Sequence, residues 1–159
     1  MEAKDYIARL NEINSEKLAL LDELFLFSKS QRDAILSGRL DELETLITEK
    51  QHRMDAIDRL DEKFVVYAER LKKMLSISSF QSLADYGFPG TRELKELVEK
   101  IHQRLSEIKA MDDENTALVK KELHATKEQI NHSNAFKRVS NAYYPEAKDI
   151  PSHYFDTKK

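Results

Sequence analysis

At 159 residues the chain has the size of one ordinary domain. Charged residues make up 35% and apolar residues 40%, while Gly and Pro number only 3 each, too few for the turns of a sheet protein, so an all-α fold is expected. A formal charge of -3 supplies no basic surplus for nucleic acid, and a cysteine count of 0 excludes a disulfide framework or a thiolate metal site.

The N-terminus, MEAKDYIARL, places Glu2, Lys4, Asp5 and Arg9 where a signal peptide needs an unbroken apolar run. The most apolar stretch, LALLDELFLF, is cut by Asp22 and Glu23. A soluble cytoplasmic protein with no membrane insertion is therefore expected.

The first helix is expected over about residues 3–37, because Leu10, Ile13, Leu18, Leu21, Phe25, Ala34 and Ile35 recur at three- and four-residue steps. Gly38 can adopt the left-handed conformation that closes a helix, and Asp41 with Glu44 forms a capping pair for the next. So short a connection marks the tip of an antiparallel αα-hairpin, with a bent continuous helix as the rival reading.

The second helix, about 41–76, keeps a heptad-like seam through Leu43, Leu46, Ile47, Met54, Ile57, Leu60, Phe64, Tyr67, Leu71 and Met74. A serine-rich, rather apolar loop over 77–90 follows, ending in Gly-Phe-Pro-Gly, with Thr91 placed to cap a third helix. That helix is expected to reach about 136, and its face runs through Leu94, Leu97, Val98, Ile101, Leu105 and Ile108.

Asp112 and Asn115 then interrupt the seam before Leu118, Val119, Leu123 and Ile130 resume it. Asn115 either specifies register or marks where the helix leaves the bundle, and Asp112 one turn earlier favours departure. Helices of about 55 Å in the hairpin would then leave an apolar overhang on the third. The fold expected is a long antiparallel hairpin, or three-helix coiled-coil-like bundle, over 1–136. Pro145 and Pro151 make 137–159 a mobile or partner-ordered tail bearing Tyr143, Tyr144, Tyr154 and Phe155.

Two Glu-x-x-His matches, Glu49 with His52 and Glu99 with His102, have the spacing of di-iron bundle ligands. At about 100° per residue, both pairs point away from the apolar faces of their helices and toward solvent. His124, Glu128 and His132 stand four residues apart, a spacing equally expected of a polar helix face. No Gly-rich phosphate loop, Gly-x-Ser-x-Gly elbow or cysteine nucleophile occurs. A non-enzymatic protein with no cofactor, no metal and no catalytic residue is expected.

Three stretches carry a further signal: SQRDAILSGRLDELETLITEK, with Gln31, Ala34, Ile35, Gly38, Leu40, Leu43, Leu46 and Lys50; NTALVKKEL, with Asn115, Leu118 and Val119; and the ending NAYYPEAKDIPSHYFDTKK. In them the chain resembles the FlgN family of flagellar export chaperones. The ending is similar to the tail of many Gram-positive members and departs from it at Tyr144-Pro145. The resemblance implies a cytoplasmic chaperone of the type III export system. Its partners would be the terminal helices of hook–filament junction proteins and the flagellar export gate.

On that reading Leu118, Val119, Leu123, Ile130 and Phe136 are the expected cargo-facing residues, with Tyr143 and Tyr144 meeting cargo or gate. Burial of the first five in the protein's own bundle, or in a homodimer, is the competing expectation. A coiled-coil scaffold, a chaperone for other cargo such as the filament cap, and a metal-dependent bundle enzyme complete the alternatives.

Overall fold

A computed structural model describes residues 1–125 and 134–143. It is helical throughout, with no strand among the described residues: α1 spans Ala3–Ser37, α2 Leu40–Leu75, α3 Thr91–Ala125 and α4 Asn134–Tyr143. The all-α expectation is met, with three long helices packed against one another. Residues 137–143, expected to belong to the tail, are part of α4.

The α1–α2 connection closes as the sequence reading requires. Gly38 has φ 68, the amide of Arg39 donates to the carbonyl of Ala34 at 2.9 Å, and that of Gly38 to Ile35 at 3.3 Å. These are the two bonds of a Schellman closure, which ties up the last carbonyls of α1. The rival bent helix is thereby excluded. Helix α2 begins at Leu40, so Asp41 lies inside the first turn, its charge near the positive helix end, rather than at the cap. The end of α2 repeats the closure, with Ser76 at φ 56 and the amide of Ile77 donating to Lys72 at 3.0 Å.

Contacts group into two units: Met1–Leu21 with Asp55–Arg104, and Asp22–Met54 with the chain from Leu105 onward. In the first, Ile7 and Leu10 of α1 pack with Ala68 and Leu71 of α2 and Leu94 of α3. A 3-10 helix, Phe80–Tyr86, seals this core with the buried Leu83. The serine-rich loop thus folds back on the bundle. Its apolar side chains would otherwise stand in water.

Helix α3 is started by Gly90, not by a side-chain cap on Thr91. The Leu94 amide donates to the Gly90 carbonyl at 2.9 Å, while the Thr91 hydroxyl donates to Phe88 at 2.9 Å. Gly90 has φ 87, and a Cβ there would stand 3.0 Å from Asn11 Nδ2 and 3.1 Å from Ile7 Cγ2. Helix α1 can approach the turn this closely because the residue is glycine.

In the second unit Ala34 and Ile35 of α1, Leu43 of α2, Val119 of α3 and Val139 of α4 form one buried cluster. Leu46, Ile47, Leu118 and Tyr143 surround it, partly buried. The antiparallel hairpin tip is therefore the place where four helices meet.

Candidate partner-binding site

The site begins with a polar layer about two to three turns inside the hairpin tip. Ser28 and Gln31 of α1, Lys50 of α2 and Asn115 of α3 are all buried. Lys50 Nζ donates to Asp112 Oδ1 at 2.6 Å and to Gln31 Oε1 at 3.0 Å, and Ser28 Oγ donates to the same Asp112 oxygen at 2.7 Å. Asn115 Nδ2 donates to the Ser28 carbonyl at 2.9 Å. Three helices are thus tied by one connected network, within which the Asn115 amide oxygen is buried without a hydrogen-bond partner among the described residues.

This network overturns the expected departure of α3. Asn115 is fully buried, and Val119 one turn on keeps only 4% of its surface exposed. The helix therefore stays in the bundle past Asp112, because α1 and α2 present the polar partners that water would otherwise supply.

A sequence signal for the layer exists. Ile7, Leu10, Asn14, Lys17, Leu21, Leu24, Ser28, Gln31 and Ile35 follow one another at alternating three- and four-residue steps, and all are buried. That is an unbroken heptad seam, invisible when only apolar residues are counted. In the first unit the same seam brings Lys17 Nζ to Asp61 Oδ1 at 2.7 Å.

Above the polar layer lies the apolar cluster, and α4 lies on it. Val139 is 2% exposed among Ala34, Ile35, Leu43 and Val119. Arg138, at the edge, donates through Nε to Glu44 Oε2 and through Nη2 to Glu44 Oε1 at 3.0 Å. Hydrogen bonding to Glu44 holds the guanidinium pKa above its ordinary value. Burial, and after it the Asp112 carboxylate, push the Tyr143 phenol well above the usual tyrosine range.

Of the expected cargo-facing residues, Val119 is core, Leu118 and Tyr143 are half-buried at the rim of that cluster, and Leu123 is half-exposed. Ile130, Tyr144 and the side chain of Phe136 lie outside the described residues. The sequence reading missed Ala34, Ile35 and Leu43 as the floor beneath α4, and Val139, Arg138 and Glu44 as contacts.

The Glu-x-x-His pairs sit at the surface. Glu99 and His102 are exposed; His52 is exposed, and Glu49 is engaged by Arg53 at 2.6 Å. His124 is exposed, while Glu128 and His132 lie outside the described residues. Among the described residues there is no group of three or more His, Asp or Glu side chains placed to hold a metal ion. No described helix is long and apolar enough to cross a membrane.

Fold and site together define an all-helical bundle whose hairpin end holds an amphipathic helix. The profile of the family described as FlgN protein matches residues 1–149. The chain belongs to the FlgN family, a family of flagellar export chaperones. No curated protein and no solved structure matches it.

Proposed function

We propose that this protein is a cytoplasmic, non-enzymatic chaperone that holds the amphipathic terminal helix of a hook–filament junction protein and presents it to the type III export gate. The family match over residues 1–149 carries this reading. The apolar cluster at the hairpin end supports it, since a helix laid on such a surface buries its apolar stripe without a nucleotide. A few side chains at roughly 1.5–3 kcal/mol each, less the ordering cost, give a complex that export can reverse.

Leu118, Val119 and Leu123 on α3, together with Ile130, Phe136, Tyr143 and Tyr144, are the proposed contact set. Size exclusion with light scattering tests it, using the protein alone and mixed with the C-terminal helical fragment of a junction protein from the same organism. A co-eluting complex that Leu123→Asp weakens, with the thermal transition unchanged, supports the reading. A stable homo-oligomer that ignores the fragment would assign the chain to a scaffold instead.

A further inference from the structure

Helix α4 tells what the surface beneath it accepts. It is only ten residues long, too short to persist in water by its own propensity. What holds it is the floor: Val139 at 2% exposure and Tyr143 one turn later pack on the cluster of Ala34, Ile35, Leu43 and Val119. Among the described residues its ion pair with α2 is two-pronged, Arg138 to Glu44. A carboxylate that receives two N–H groups of one guanidinium selects arginine over lysine by geometry as well as charge.

We infer that α4 is a built-in stand-in for a partner helix, and that the groove it fills takes an amphipathic helix with apolar residues four apart and an arginine just before the first. The inference rests on the proposed chaperone reading for the origin of that partner. The partner's helix and α4 contact the same floor, so one excludes the other. Glu44 selects the basic residue, and the apparent affinity for a partner is lowered by the fraction of molecules in which α4 is docked. Val119, buried in the closed protein, becomes a contact residue once α4 leaves.

The test uses the full chain, unaltered and as Val139→Asp, with two probes: a labelled peptide of sequence NAFKRVSNAY, and the junction-protein fragment. Val139→Asp is expected to bind the peptide at least about tenfold more tightly than the unaltered chain does. Adding Glu44→Arg should abolish that gain, and a peptide carrying Arg138→Glu should restore it. Circular dichroism checks that α1–α3 remain folded; if Val139→Asp disrupts them, Arg138→Glu in the full chain is the milder opening variant.

Equal peptide binding by the closed and opened proteins, with α1–α3 intact, overturns the proposal. So does self-association of Val139→Asp that the peptide blocks, which would assign the groove to a second copy. The fragment separates this proposal from the chaperone reading. If it binds both proteins equally and the peptide binds neither, the stand-in fails and the chaperone remains. If the peptide behaves as expected and the fragment binds neither, the stand-in holds and the proposed cargo fails.

Discussion

Lys50 Nζ stands 2.6 Å from Asp112 Oδ1, joining α2 to α3 through side chains that are 11% and 23% exposed. A pair so enclosed contributes little relative to an apolar pair of the same shape, but breaking one half strands the other. Lys50→Met should therefore cost about 2–3 kcal/mol, below the fully buried range because water still reaches Asp112. The double variant Lys50→Met/Asp112→Leu should recover most of it. Urea unfolding of the two variants measures the difference, and equal losses would show that the pair itself stabilises.

Asn115 donates one bond and leaves its amide oxygen without a partner. Asn115→Leu removes a desolvated polar group and keeps the branched shape of the side chain, while the Ser28 carbonyl keeps its place in the helical ladder. Stability should be unchanged or rise by up to about 1 kcal/mol. Helix register is then less strictly specified, which amide hydrogen exchange in α3 should register as faster local opening. A loss of several kcal/mol would show instead that the bond to Ser28 is a net stabiliser.

Gly38 and Ser76 end two helices with the same closure at φ 68 and φ 56, yet one is a glycine and the other is not. Nothing stands within 4 Å of a Cβ at Gly38, so only the backbone conformation disfavours a side chain there. Ser76→Gly should stabilise by about 1 kcal/mol and Gly38→Ser should destabilise by about the same amount. For a chain of this size that is roughly 2–4 °C in Tm, in opposite directions. Thermal scans in which both variants shift the same way would contradict the shared geometry.

Tyr143 is neutral in the folded protein, and burial raises its pKa above the value of about 10 that an exposed tyrosine has. The contribution of its burial is full below that pH and is lost as pH rises beyond it, because only the unfolded or undocked form then ionises readily. Absorbance titration near 295 nm should show a late step for Tyr143, and Tyr143→Phe should remove it. Loss of an ordinary step at about pH 10, with the late step kept, would place Tyr143 in water.

Composition and periodicity carried the helical class and the helix bounds at Ser37 and Leu75, because Gly38 and the serine-rich stretch end helices by local rules. The same local rules located the hairpin tip and the outward direction of His52 and His102. They misplaced Asp112 and Asn115, since a polar residue in a seam reads identically whether it faces water or a partner on another helix. Only the packed structure supplies Ser28 and Lys50 as those partners, from positions 84 and 62 residues away. The sequence reading assigned 137–143 to a tail, because nothing local shows what the apolar stripe of α4 covers. Its floor is assembled from α1, α2 and α3, and such a surface exists only once the helices have been brought together.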